Sequence, residues 1–188
     1  MLSNNLHFEP LTANHADELF SILTTPSVLA FIDPTGKPPT NAELRTEYAA
    51  RARGPSQGVT TERWFNTVIR LQDPNSTVIG RLEATSYGEE WGELAYLLGE
   101  DWWGKGLAFE AMCWWHDYLA NAVTGTQWWA TVHPDNQRSI RLLRRLGYAE
   151  VDPSNRPNLQ SFDLGDLCFV IDLQGRKVVV NNIDREAA

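Results

Sequence analysis

The feature that most constrains this chain is a junction near its middle. A strand-like run, Glu93–Leu98, enters a loop carrying Gly104-Lys105-Gly106, and the loop opens directly into a helical pattern. Apolar residues at Leu107, Ala108, Ala111, Met112, Trp115 and Leu119 recur at helical spacing towards Ala122. The first N–H groups of such a helix lack internal partners and carry the positive end of its dipole. Glycines keep the turn free of Cβ atoms, so a phosphate can approach those N–H groups closely. The same residues also make a plain strand-to-helix turn, so the junction alone does not choose between the two.

Two phosphate-binding motifs compete for it. Gly99-x-x-x-x-Gly104-Lys105 matches the start of a P-loop, but Gly106 stands where that loop needs Ser or Thr to hold Mg²⁺. Phe169-Val-Ile-Asp172 imitates the second nucleotidase motif. A parallel nucleotide-binding sheet, however, needs repeated crossovers of a dozen or more residues. About 80 residues follow the loop, and their pattern holds no more than a pair of strand–helix units. A P-loop-type nucleotide binder is therefore a distant alternative.

The flanking pattern gives the order of elements. Ala13–Leu23 has one apolar helical face, and Thr40 with Glu43 forms a capping-box signature for a second helix reaching Arg53. That helix has a thin apolar face and reads as a peripheral lid. Arg63–Leu71, Thr77–Ser86 and Glu93–Leu98 read as successive strands, with Gly80 as a bulge. After the long helix, here taken from Gly104 to Ala122, come a strand over Gln127–Val132 and a short helix over Gln137–Leu146. The helix has Asp135 or Asn136 as its cap and Gly147 just past its end. Tyr148–Val151 and Ser161–Leu173 complete the strands. The expectation is one mixed α/β domain spanning 1–188, with its core over about 7–173 and a tail from Gln174.

Two motifs in register carry a family resemblance. Asp101-Trp-Trp-Gly104-Lys-Gly106-Leu-Ala108 resembles the Gln/Arg-x-x-Gly-x-Gly/Ala pyrophosphate loop of the GNAT superfamily of acyl-CoA-dependent N-acetyltransferases, with Asp101 where Gln or Arg is usual. Asn136-x-x-Ser139-x-x-x-Leu143-x-x-x-Gly147-Tyr148 resembles that superfamily's Asn-x-x-Ser…Leu-x-x-x-Gly-Phe. Pro26-Ser27-Val28 and Val78-Ile79-Gly80 are similar to its ribosomal-protein N-acetyltransferase-like branch. The resemblance implies a GNAT fold: a central, mostly antiparallel, twisted sheet flanked by helices and splayed between its fourth and fifth strands. It implies acetyl-CoA as co-substrate, with no metal, and direct transfer of the acetyl group to a primary amine in a ternary complex. The acceptor is then a protein N-terminal α-amine or a small-molecule amine.

The resemblance also distributes roles. Trp103, Gly104, Lys105, Gly106, Leu107 and Ala108 would cradle the pyrophosphate, and backbone groups at Leu97 and Leu98 would pair with pantetheine and face the thioester oxygen. Asn136 would contact pantetheine, although the same side chain also reads as a helix cap. A primary amine is mostly ammonium at pH 7, so a carboxylate that takes its proton helps. Glu93, at the start of the strand leading to the loop, is the candidate base, with an exposed strand-end glutamate as the plain alternative. Many relatives place an acidic tyrosine seven residues after the asparagine; this chain has Leu143 there. Ser139 is the substitute proton donor to the departing thiolate, and solvent can do the same. Specificity is expected in Phe31–Gly58, with Asp33, Trp64, Trp91 and His133 as acceptor-side candidates. The missing tyrosine and Asp101 keep open a non-catalytic, CoA- or partner-binding module.

Composition bounds the rest. Sixteen basic against 24 acidic residues gives a formal charge of −8, which argues against nucleic-acid or anionic-membrane binding and suits a cationic amine. A polyanionic cofactor would then need a local positive site, for which Lys105 and the arginines at 138, 141, 144 and 145 are available. No apolar run reaches the roughly 20 residues of a membrane helix, and the opening MLSNNLHFEP has no signal-peptide pattern. Two cysteines make no disulfide framework, so a cytoplasmic protein, monomer or homodimer, is expected. Gly54-Pro-Ser-Gln-Gly58 spells Gly-x-Ser-x-Gly without the strand–turn–helix context of a hydrolase elbow. Cys113 and His116, three apart on a helix, read as a packed pair.

Overall fold

The computed structural model describes residues 5–32, 37–56, 58, 61–124 and 126–173. Seven strands form one sheet in the order β1-β2-β3-β4-β5-β7-β6. They are β1 (Leu6–Pro10), β2 (Glu62–Leu71), β3 (Val78–Tyr87), β4 (Trp91–Leu98), β5 (Gln127–Val132), β6 (Ala149–Val151) and β7 (Leu167–Asp172). Every neighbouring pair is antiparallel except β4–β5, which is parallel. This is the expected mixed α/β GNAT-type sheet. A P-loop nucleotidase needs a parallel sheet, and Phe169–Asp172 here lies in β7, antiparallel to both its neighbours.

Helices cover both faces. On one side α4 (Leu107–Ala122) and α5 (Gln137–Leu146) bury Met112, Trp115, Leu119, Ile140 and Leu143 against Ile79, Leu82, Leu94, Leu98 and Trp128 of the sheet. On the other, α1 (His15–Leu23), the single turn α2 (Pro26–Leu29) and α3 (Asn41–Arg53) close over Val68 and Val78. Among the described residues no helix is long and apolar enough to cross a membrane.

Local chemistry accounts for the element ends. Thr40 and Glu43 make the full reciprocal capping box of α3. Asn136, rather than Asp135, caps α5, its Oδ1 accepting from Ser139 N–H at 3.2 Å, and Gly147 ends that helix in the left-handed region with φ 93°. Gly80 is required by close strand approach: a Cβ there would lie 2.1 Å from the Leu97 carbonyl oxygen. The ladder irregularity falls beside it, between Ile69 and Arg70 on β2.

Four elements differ from the sequence expectation. β1 was not legible, being a short edge strand closed by Pro10, a residue tolerated only where no ladder donor is needed. β4 starts at Trp91, ahead of Glu93, since its pairing with β3 runs on to Tyr87. The long helix starts at Leu107, not Gly104, because Gly104 and Gly106 have φ of 72° and 81° and form the turn. The α3 helix is also more than a lid, with Leu44 and Tyr48 fully inside the second core.

Candidate active site

The sheet forks between β4 and β5. Their parallel pairing covers only Trp91–Glu93 against Gln127–Trp129, while β4 stays bonded to β3 through Leu98 and β5 to β7 through Val132. Each strand follows its other neighbour, so Leu94–Leu98 and Ala130–Val132 diverge. A cleft of about 1700 Å³ runs through the fork, lined on one side by Leu97, Leu98, Trp103 and Gly104 and on the other by Val132, Asn136 and Ser139.

One end of the cleft gathers unpaired N–H groups and positive charge. The N-terminus of α4 carries no side-chain cap, so its first N–H groups remain for a ligand. A Cβ built on Gly104 or Gly106 meets nothing within 4 Å, which means open space borders both. Three cations stand on aromatic rings around this loop. Lys105 Nζ lies 4.8 Å from the Trp102 ring, the Arg138 guanidinium 4.7 Å from Trp103, and that of Arg145 4.0 Å from Phe109. The Trp103 indole N–H in turn donates to the Leu98 carbonyl at 2.9 Å, tying the loop to the end of β4. Ala108 lines the cleft with Gly106, whereas Leu107 turns into the core. These donors and charges fit a pyrophosphate.

Inside the fork, Ser139 meets a residue the sequence did not single out. Tyr96 Oη and Ser139 Oγ are 2.7 Å apart, bridging β4 and α5, and both line the cleft. Burial pushes the Tyr96 phenol up to about 12, against the lowering effect of its bond to Ser139. It therefore stays protonated at neutral pH. The available signal was strand alternation, which puts Tyr96 on the same face as Leu94 and Leu98, towards α5. What could not be read was that α5 would deliver Ser139 to it. Asn136 lines the same stretch with its Oδ1 already engaged as the α5 cap.

Glu93 occupies a different position. It is 8% exposed and lies outside the cleft lining. Its Oε1 accepts from Gln160 N–H and its Oε2 from Ser161 N–H, each at 2.8 Å. Ser161 is held a second time, its carbonyl accepting from Thr131 Oγ at 2.7 Å. Glu93 thus clamps the segment before β7, and Gln160 and Ser161 of that segment line the cleft.

The acceptor-side candidates scatter. His133 lies at the cleft rim, its ring 6.3 Å from that of Phe31. Trp91 is stacked on Tyr87 at 4.2 Å and packs on the Trp129 cluster, away from the cleft. Trp64 donates its indole N–H to Glu62 and borders a separate small hollow. Asp33 falls outside the described residues. In their place the cleft presents Glu47 and Arg51 from α3 and Arg81 and Glu83 from β3. Glu47 and Arg51 fall within the Phe31–Gly58 segment expected to carry specificity, whereas Arg81 and Glu83 were not singled out, because the β3 pattern hides which face each residue takes.

Residues 5–149 match the family model described as the acetyltransferase (GNAT) domain. No curated protein sequence matches the chain. Several solved structures share its architecture. An acetyltransferase (GNAT family) from Bacillus anthracis is 16% identical, with a TM-score of 0.66 over 91% of this chain and 96% of that one. A domain from Methanocaldococcus jannaschii is 17% identical, with a TM-score of 0.68 over 88% and 97%. The aminoglycoside acetyltransferase AAC(6')-Ib, solved with coenzyme A, is 17% identical, with a TM-score of 0.65 over 88% and 94%. At these identities the likeness is one of fold.

Proposed function

The chain belongs to the GNAT acetyltransferase family, and on that premise we propose that it moves an acetyl group from acetyl-CoA to a primary amine by direct attack in a ternary complex. The observation that carries this reading is the uncapped N-terminus of α4 opening onto a cleft that passes through the β4–β5 fork. Acetyl-CoA supplies the thioester. Gly104, Gly106 and Ala108 offer backbone N–H groups to its pyrophosphate, with Lys105, Arg138 and Arg145 as nearby positive charge. Past Glu93 the β4 edge has no partner on β5 and, around Leu97 and Leu98, offers backbone groups to the pantetheine amides and to the oxygen on which charge develops, the Leu98 carbonyl being already taken by the Trp103 indole.

Ser139 and Tyr96 form the proton donor to the leaving sulfur in this reading, the Tyr96 phenol recharging the serine hydroxyl. Glu93 is assigned here as a positioning residue. Both its oxygens already accept backbone N–H groups, so the proton of the ammonium is better removed through water. The acceptor approaches from the α1–α3 side. The likeness of Pro26-Ser27-Val28 and Val78-Ile79-Gly80 to the ribosomal-protein branch supports a protein N-terminus, and the acceptors named for relatives such as AAC(6')-Ib support a small amine. The two-cysteine composition supports a cytoplasmic setting.

Calorimetry with CoA tests the cradle, and acetyl-CoA-dependent thiol release against an amine library tests the reaction. Absence of CoA binding would sink the proposal. Binding without thiol release from any amine would leave a CoA-binding module instead.

A further inference from the structure

The wall of the cleft facing α3 differs in chemistry from the cation-ringed end. On β3 the register sets Arg81 beside Leu97 and Glu83 beside Ala95, on the same face of the sheet. Glu83 is bonded by two guanidinium groups, Arg81 through Nη1 and Arg51 through Nη1 at 2.7 Å. Glu47 is taken up by Arg51 Nε, also at 2.7 Å. Burial works to raise the Glu83 carboxyl, but the charges of Arg81 and then Arg51 outweigh it and hold Glu83 ionised. Each carboxylate is therefore charge-paired with an arginine through one of its oxygens, which weakens its pull on an incoming ammonium.

The arginines, by contrast, keep donors in reserve. A guanidinium carries five N–H groups in a planar fork. Arg81 is 9% exposed, lies over the Tyr48 ring at 5.4 Å and lines the cleft, yet its buried Nε has no hydrogen-bond partner among the described residues. A buried donor left unpaired is costly, and a planar fork matches a carboxylate two bonds at a time. The same cleft also carries exposed apolar side chains, alongside Lys37, Glu43, Asp163 and Asp166. Of the four large hydrophobic side chains exposed among the described residues, Phe31, Ile32 and Leu164 line this same cleft, Leu164 being fully exposed.

From these features, and resting on the acetyl-transfer reading above, we infer that the acceptor carries a carboxylate as well as its amine: a free α-amino acid with an apolar side chain, its carboxylate docked on Arg81. The side chain faces Phe31, Ile32 and Leu164, and the amine is left towards Leu97 and the fork. The amine nitrogen forms the new bond to the acetyl carbon as the carbon–sulfur bond breaks. The sulfur leaves as thiolate and takes one proton, while the ammonium gives up two protons in all. A dicationic polyamine fits this wall poorly despite the acidity of the chain.

The test is thiol release from acetyl-CoA with leucine and phenylalanine, set against their amides, the decarboxylated amines and a peptide beginning with the same residue. The expected result is a kcat/KM at least tenfold higher for the amino acids, carried by KM. Arg81→Gln should bring that ratio close to one while CoA affinity, read by calorimetry, stays unchanged. If Glu83, left with one partner, prevents that variant from folding, Arg81→Lys keeps the charge but loses the planar fork, and should lower the ratio in the same direction. Equal use of amino acid and amide overturns the inference and leaves acetyl transfer standing. Preference for the peptide overturns it in favour of a macromolecular acceptor. Absence of thiol release from every amine overturns both the inference and the reading beneath it.

Discussion

Replacing Glu93 with glutamine separates two roles that one carboxylate cannot fill together. In the fold, Glu93 holds Gln160 and Ser161 by a pair of 2.8 Å bonds to backbone N–H groups, almost out of solvent. Glutamine keeps one accepting oxygen and turns an NH₂ group towards the second N–H, so one charge-assisted bond is lost and a buried donor goes unpaired. A hydrogen bond to a charged group contributes about 1.5–3 kcal/mol and an unpaired buried donor costs about 1–3. Partial relaxation of the exposed neighbouring loop brings the expected loss to about 2–4 kcal/mol. For a chain of this size that lowers Tm by roughly 5–15 °C. Thermal unfolding by circular dichroism reads this directly, and hydrogen exchange should show faster opening at 159–162 than in β3. Turnover should fall by less than about tenfold, evenly from pH 6 to 9. If Glu93 is instead the general base, Tm barely moves and turnover drops by about 10²–10⁴, most severely at low pH. That second pattern would refute the clamp.

Further expectations concern the fork. Gly104→Glu should abolish CoA binding in calorimetry while the protein stays folded, since open space borders the residue and the left-handed φ of 72° costs only about 1–2 kcal/mol. Tyr96→Phe should reduce kcat about tenfold or more with little change in the KM for acetyl-CoA; an unchanged kcat removes the phenol from the proton path. The same variant has an alkaline signature. An unfolded tyrosine ionises near pH 10, whereas folded Tyr96 holds its proton to about 12, so its contribution to stability is intact below pH 10 and lost between 10 and 12. Denaturant midpoints of Tyr96→Phe should therefore fall less across that window than those of the parent. Gly80→Ala should destabilise by about 3 kcal/mol or more, because its Cβ would have to share space with the Leu97 carbonyl 2.1 Å away; a midpoint within error of the parent would mean that the strands part easily there.

The legible part of the site is the part made of consecutive residues. Gly104, Lys105 and Gly106 could be read as an anion cradle because the strand, turn and helix that make one are adjacent in the chain. Asn136 and Ser139 were legible for the same reason, their spacing being that of a helix cap and its third residue. Glu93 shows the limit. Its place on the strand leading to the loop was readable, but its partners lie at 160 and 161, and no local pattern announces a bond across such a separation. The lining of the cleft was less legible: Trp64 and Trp91 are prominent in the sequence and lie off it, while Arg81 and Glu83 sit within a strand and line it.

What the sequence determined by itself is therefore most of the elements, their order, and the glycine turn between β4 and α4, since each depends on periodicity, capping and glycine conformations within a few residues. The tertiary structure alone decided where the sheet opens, which hydroxyl meets Ser139, and which charges line the cleft. The fork exists because β4 and β5 each follow a different neighbour past Glu93 and Trp129, and the wall exists because α3 lays Glu47 and Arg51 against Arg81 and Glu83. Those are consequences of packing between distant segments. The junction of strand, glycine turn and helix says where an anion can bind; only the surrounding sheet says what can be brought to meet it.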